Sequence, residues 1–554
     1  MAADSAAVSG QQPAKKAFTA KWLTIHLYSI GTMTDLLLYI PFGFLVVPIF
    51  TLEFKLSPIW IGWAMALPRL IDGFLDPVWA NWSDSCKSRL GRRRPFILAS
   101  TLLGAVVIAG MWWASPEWAD RLVRIPLWHG RVIVVPLLLF SWVLVANLVI
   151  FSLYGIFDTT HQALGFELSD DFNQRARVQA IRGFYGSLPA LIPLYMLAMW
   201  LAHPESNTLS IVEWLGQHNS KGWLDVPIAM LGWLARWFGR HESWFGNGIN
   251  GMRWVGAGMA LLALVAGLVV VVACRERFKW AAQTKRGNIW HSLKATLHVR
   301  AFVVLLLLQF AQTLGGMLWQ QISFFICVFS LCAGMKDPKI AAGFVGQPAG
   351  WVGFGLGFAM MLLAAPLCKL IGKRAGIIIS YGMGLLNALL LPYFMRPGQY
   401  WVYIGFTLAL LPLQTIGATL SSAIMPDICD IDELQTGERH EALFIAVLNW
   451  MSKLQNSIIT VIAGYFLIWI GFDVRLDVQR PGVMESMRFW GFGMLILGSL
   501  LAFVVSFWMP ITAKQMAEVR AKLDERHHRM HVDGDAEAAA QKAAAEAAAK
   551  GSEV

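Results

Sequence analysis

Arg69, Asp72 and Asp76 stand in the segment PRLIDGFLDP, at spacings that put all three on one face of a helix. Two carboxylates and one guanidinium leave about one net negative charge there, inside an apolar stretch. Burying that charge requires a proton, a metal cation or a further base. This is the physical requirement for a cation-coupling site. Na⁺ would need several oxygen ligands, whereas a proton needs one carboxylate. The plainer alternative is that Arg69 pairs both aspartates to fix helix packing. That accounts for Asp72 better than for Asp76, which lies two turns from Arg69. Pro77 removes one backbone donor, which would free a carbonyl in the preceding turn as a ligand.

Three further ionisable residues lie in apolar stretches: Asp35 in GTMTDLLLYIP, Asp158 in YGIFDTTHQALGFELSDD and Lys453 in NWMSKLQNS. A charge at mid-bilayer costs at least about 2.5–3.5 kcal/mol, so each is a functional candidate. Polar neighbours suit side chains that face an aqueous cavity. The six groups sum to about −2, which favours a cation beside a neutral substrate. Carboxylates accept hydrogen bonds from hydroxyls, and the nearby rings of Tyr39, Tyr154 and Trp450 could cover apolar sugar faces. His161 has no partner histidine nearby, and is read as a hydrogen-bonded helix residue.

The elements that must hold these groups are membrane spans. Of 554 residues, 56% are hydrophobic and 14% charged, and the mean hydropathy is +0.54. A soluble chain would carry roughly 25% charged residues. Soluble enzymes, disordered chains and disulfide scaffolds are thereby excluded. The apolar runs form about twelve spans, at 22–50, 57–82, 95–115, 132–164, 178–202, 250–274, 300–332, 347–370, 375–395, 400–426, 441–471 and 487–510. The net charge of +10 does not point to nucleic acid, because the basic residues sit between apolar runs. About 29 of the 45 Lys and Arg fall in the segments on one side, which places both termini in the cytoplasm. The six cysteines lie in or beside apolar runs without a CxxC pair and are read as packing residues. No GxxxxGK(S/T) or HExxH motif points to an ATPase or a zinc protease.

The expected organisation is a cytoplasmic tail over 1–21, a six-helix bundle over 22–274 and a basic cytoplasmic linker over 275–300. A second six-helix bundle follows over 301–510, then an amphipathic and Ala-rich tail over 511–554. The outer loop 203–250 is long and Trp-rich and is read as one or two short interfacial helices, with a lid over a substrate entrance as the alternative. RLGRRRP and KLIGKRAG occupy equivalent loops of the two halves, as parallel repeats of the major facilitator architecture would have. The fold class is therefore an all-α membrane protein.

The motifs Arg69-x-x-Asp72-Gly-x-x-Asp76-Pro…Ser-Asp84…Lys-Ser-Arg89-Leu-Gly-Arg92-Arg93-Arg94-Pro, Gln162-Ala-Leu-Gly-Phe-Glu-Leu-Ser-Asp-Asp and Pro-Asp427-Ile-Cys-Asp430-x-Asp432-Glu433 resemble those of the glycoside–pentoside–hexuronide:cation symporter family, the melibiose permease branch of the major facilitator superfamily. The resemblance spans residues 21–510. It implies uptake of a sugar or sugar derivative driven by H⁺, Na⁺ or Li⁺, with no enzyme activity and no cofactor beyond the coupling ion. It implies a monomer in the bacterial inner membrane. Asp72 and Asp76 match the family's cation aspartates, Asp158 its sugar aspartate, Arg182 a fifth-span arginine near substrate, and Lys453 the eleventh-span lysine near the coupling site. Asp35 matches a first-span sugar aspartate with a one-residue offset. Three positions depart from the melibiose permease. Leu75 and Gly155 stand where it has Asn and Thr, which removes oxygen ligands and favours H⁺ over Na⁺. Gln162 replaces a sugar-stacking Trp, which argues against galactoside specificity. Arg89, Arg92, Arg93 and Arg94, with Asp84, Asp427, Asp430, Asp432 and Glu433, would form a cytoplasmic gate of ion pairs. The alternative substrate class is a lysolipid or other amphiphile.

Overall fold

The computed structural model describes residues 21–86, 88–126, 132–166, 168, 172–191, 248–274, 298–333, 372–436, 441–476, 478–480, 482–512, 514–523 and 525–526, with isolated positions between 212 and 240. The basic linker, the expected span at 347–370, most of the 203–250 loop and the Ala-rich tail lie outside the described residues.

Long apolar runs become helices because a helix satisfies its own backbone where no water can. They are α1 (Trp22–Phe44), α2 (Val46–Leu52), α3 (Pro58–Ser85), α4 (Arg94–Gly110), α5 (Leu137–Phe166), α6 (Phe172–Ser187), α7 (Gly248–Ala273), α8 (Arg300–Ile326), α9 (Lys373–Phe394), α10 (Tyr400–Thr436), α11 (Glu441–Trp469) and α12 (Val483–Ser506). The run α1–α2 forms a single span. With it, seven helices among the described residues are long and apolar enough to cross a membrane. The α3 and α11 helices, interrupted by polar residues, and α10 fall outside that count. Outward faces carry bare Leu and Val, such as Val106 on α4 and Leu261 and Val272 on α7, as lipid contact requires.

One expected boundary is corrected. The span placed at 132–164 starts with a short strand, and its helix begins only at Leu137. β1 (Val123–Pro126) pairs antiparallel with β2 (Val132–Val135), and Val123 lies opposite Val135. β2 is wholly β-branched and β1 carries Val123 and Ile125, and α5 begins only after Pro136.

The repeat between the halves is visible in two equivalent loops. Gly91 (φ 115°) precedes α4 and Gly372 (φ 83°) precedes α9, in a region that favours glycine. An arginine opens each following helix and binds a carbonyl at the end of another. Arg94 Nε donates to Val271 O of α7 at 2.8 Å, and Arg374 Nη2 donates to Phe507 O just past α12 at 3.0 Å. These bonds satisfy carbonyls that a helix end leaves open.

The chain forms two compact units. The first comprises Met1–Thr284, Gln321–Trp351 and Asn456–Met487. Its core includes Phe50 stacked on Phe54 at 4.6 Å beside Trp112. Within it α3 crosses α11 with backbones touching. A Cβ on Gly62 would lie 3.0 Å from Thr460 O, and one on Gly464 would lie 2.5 Å from Pro58 O. The second unit comprises Lys285–Gln320, Val352–Gln455 and Arg488–Val554. Phe302 and Phe444 meet edge to face at 4.7 Å in its core. The amphipathic start of the C-terminal tail docks there. Residues 514–523 are helical and bury Met516, Val519 and Leu523, because their apolar side chains recur at helical spacing.

Candidate functional site

Helix α5 carries Phe151, Tyr154, Gly155, Asp158 and Gln162 at spacings that share one face. Asp35 of α1, Arg69, Asp72 and Asp76 of α3 and Arg182 of α6 collect against that face.

At the Asp158 level, Arg182 of α6 reaches two carboxylates. Its Nη2 lies 3.4 Å from Asp158 Oδ1 and 3.6 Å from Asp35 Oδ2 of α1. Gln162 donates its amide to Asp158 Oδ1 one turn along α5. Asp35 and Arg182 are nearly sealed, with side chains 6% and 12% exposed, whereas Asp158 is 25% exposed. The structure therefore brings Asp35, Asp158, Gln162 and Arg182 into one cluster. The one-residue offset at Asp35 does not carry its side chain away from the others. Two carboxylates share one guanidinium, so acceptor capacity remains for hydroxyl donors.

About one turn away along α5 lies the second cluster. A Cβ on Gly155 would stand 2.7 Å from Asp72 Oδ1 and 3.2 Å from Asp76 Oδ1. Both carboxylates of α3 thus rest on the bare backbone of α5. Gly155 matters through the room it leaves, beyond the oxygen its position lacks. The spacing of a glycine three residues before an intramembrane aspartate was the available signal.

Arg69 is placed differently from the simplest expectation of a pairing with the aspartates. Its guanidinium carbon lies 5.1 Å from the Tyr39 ring centroid and 5.0 Å from that of Phe151. A guanidinium is weakly hydrated and binds ring faces well, so two aromatic rings can hold it in the interior. Tyr39 and Tyr154, 5.1 Å apart, fill the space between the clusters.

His161 faces α1. Its Nε2 donates to Tyr28 O at 3.0 Å, and the Tyr28 hydroxyl donates to His161 O at 2.9 Å. These reciprocal bonds clamp α1 to α5. Among the described residues, no group of three or more His, Cys, Asp or Glu side chains is arranged to hold a metal ion.

Lys453 belongs to the second unit, on α11. Beside it Ser452 accepts the Gln309 amide from α8. Of the residues expected at a cytoplasmic gate, Asp427 is buried within the second unit. It binds Lys373 Nζ at 2.6 Å and Arg520 Nη2 at 2.9 Å. Asp430 lies 3.7 Å from Arg520 Nε, Glu433 O accepts from Arg526, and Asp432 is buried. Asp427 and Asp430 are thus engaged within their own unit, where α9 and the C-terminal helix supply the cations. Arg92 and Arg93 are buried and Arg89 is exposed. The Asp84 side chain lies outside the described ones.

Residues 27–513 match the model of the family described as MFS/sugar transport protein. The glucuronide carrier protein homolog of Escherichia coli is 22% identical over 529 residues, covering 91% of this chain and 96% of the relative. The isoprimeverose transporter of Lactiplantibacillus pentosus is 21% identical, covering 85% and 86%. Among solved structures, a bacterial homolog of the human lysosomal transporter Spinster superposes with a TM-score of 0.55 at 14% identity, covering 88% of this chain and 96% of that one. The xylose transporter XylE from E. coli, inward open, gives 0.51 at 14% identity, covering 90% and 98%. The family match over most of the length, with the motifs on α3, α5 and α10, decides the assignment: the chain belongs to the MFS sugar-transport family, in its glycoside–pentoside–hexuronide symporter group, and is a multi-pass inner-membrane transporter rather than an enzyme.

Proposed function

We propose that this transporter imports a sugar, glycoside or related sugar derivative together with a cation, H⁺ in preference to Na⁺, by alternating access. Twelve spans in two six-helix halves, with both termini in the cytoplasm, complete the reading. The observation that carries it is the single face of α5, which bears Asp158 beside Arg182 and Asp35, and one turn away receives Asp72 and Asp76 against Gly155.

The chemistry follows from that spacing. Asp35, Asp158 and Arg182 sum to one negative charge, and hydroxyls of a bound sugar donate to the carboxylates as the guanidinium shifts between them. Asp72 and Asp76 meet a backbone that offers no side-chain oxygen at position 155. Two carboxylates are a sparse shell for Na⁺ but suffice to hold a proton. Neutralising the α3 carboxylates lowers the cost of closing a dry cavity around them. Sugars also suit the names of the relatives, which are carriers of a glucuronide, of isoprimeverose and of lactose; none is named for a lysolipid.

Purified protein in proteoliposomes tests this reading. Labelled lactose, methyl glucuronide and a pentose-containing disaccharide are offered under an imposed pH gradient, then under a Na⁺ gradient. Concentrative uptake of at least one sugar is expected under the pH gradient, and Asp76→Asn is expected to abolish accumulation while leaving sugar exchange. Full accumulation by Asp76→Asn overturns the assignment of the coupling site. Accumulation driven by Na⁺ alone overturns the choice of proton.

A further inference from the structure

Two three-helix seams occupy equivalent places in the repeat: α1, α4 and α7 in the first half, and α8, α9 and α12 in the second. The first is filled. Thr34 Oγ1 donates to Ala263 O at 2.8 Å, Gly267 lies directly against Thr101, and Gly104 lies directly against Leu38.

The second seam is open. α8 and α12 touch at Gly315 and Gly498, where a Cβ on Gly315 would stand 2.9 Å from Gly498 Cα. Beside that crossing is a cavity of about 110 Å³, with Gln312, Ser380, Tyr381, Asn387 and Ser499 as its polar lining and Leu495 and Ala502 as its apolar lining. Gly316 and Gly384 line it too, and a Cβ on either would meet nothing within 4 Å. Small residues therefore hold the space open where the first half closes it. The Tyr381 hydroxyl donates to Gln312 Oε1 at 3.3 Å across the wall. At the helical rise, Ser380 and Asn387 sit about 10 Å and about 21 Å from the start of α9, within the depth of the hydrocarbon layer.

Polar walls at that depth are costly unless a partner satisfies them. The volume is several times the about 10–15 Å³ that one water needs. Every polar side chain in the lining is an amide or hydroxyl and none is charged, so an ion entering would lose its hydration without gaining a countercharge. We propose that the α8/α9/α12 cavity binds an uncharged polyhydroxy group, either a free sugar ring or the glycosyl headgroup of a membrane glycolipid. The site is separate from the charged face of α5 and does not depend on the coupling mechanism.

Native mass spectrometry of the full chain in detergent micelles tests it, with methyl glucoside, monoglucosyl diacylglycerol and phosphatidic acid as probes. Gly384→Val fills the cavity and Asn387→Leu removes an amide; Ser380→Ala removes a single hydroxyl and keeps the test open if Gly384→Val fails to fold. Binding of a glucosyl probe is expected to fall about tenfold or more in the first two variants, and to persist in Asp158→Asn. Methyl glucoside binding that behaves this way identifies a free sugar, and binding of the glucosyl lipid alone identifies a headgroup. Binding unchanged in all three cavity variants, preference for phosphatidic acid, or loss through Asp158→Asn alone overturns the proposal.

Discussion

The face of α5 and the α8/α9/α12 cavity are both polar patches inside an apolar protein, yet they are built from opposite materials. The α5 face gathers Asp35, Asp72, Asp76, Asp158, Arg69 and Arg182, and each cation there is held by something specific. Arg182 lies between two carboxylates and Arg69 between two rings. The polar groups that line the cavity of the second unit are neutral amides and hydroxyls, set beside Leu495 and Ala502. Charge in a low-dielectric interior must be balanced within a few ångströms, so moving one proton or one ligand changes the energy of the whole cluster. Neutral groups need only a hydrogen-bond partner, and exchanging one partner for another costs little. The first arrangement suits coupling, and the second suits passive binding.

The sharpest way to break this contrast is Arg182→Ala. It leaves Asp35 and Asp158 sharing one pocket without their cation. Breaking a buried pair costs about 3–5 kcal/mol, so a clear fall in thermal stability and loss of sugar binding are expected, with partial rescue by Arg182→Lys. Unfolding followed by tryptophan fluorescence, with and without sugar, reads both. Gly155→Val comes next. Its side chain must displace the Asp72 and Asp76 carboxylates, and overpacking costs about 1–3 kcal/mol, or about 5- to 150-fold in an equilibrium. Gradient-driven accumulation should drop by that order while sugar exchange survives, as paired proteoliposome assays would show. If exchange falls equally, the clusters are not separable. Phe151→Leu removes one ring from Arg69 and should cost about 0.5–2 kcal/mol, visible as a modest loss of stability. Ser380→Ala should have the smallest effect. It takes one hydroxyl from the neutral cavity and should leave accumulation unchanged within error; a large loss would mean that the two regions act as one.

Legibility followed the range of the interactions. The triplet Arg69, Asp72 and Asp76 was visible because helical spacing is local, and Asp158 and Gln162 stand one turn apart for the same reason. The meeting of Asp35, Asp158 and Arg182 spans α1, α5 and α6, and only the family resemblance pointed to Arg182. The hairpin after Val123 was lost because a short β-branched run next to an apolar helix has no period of its own to separate it. The docking of the C-terminal helix is not legible in the sequence, because its amphipathic pattern does not say which surface receives it.

The sequence by itself determined that the chain lives in a membrane, roughly where its spans run, and which charges lie inside them, because hydropathy and helical period act over neighbouring residues. Only the tertiary structure decided that Arg69 rests on rings, that Gly155 is the floor beneath two carboxylates, that Asp427 is held by Lys373 and Arg520, and that one helix seam is sealed while its counterpart is open. Each of those depends on which side chains from distant segments reach the same few cubic ångströms, and close packing settles that only once the helices are assembled.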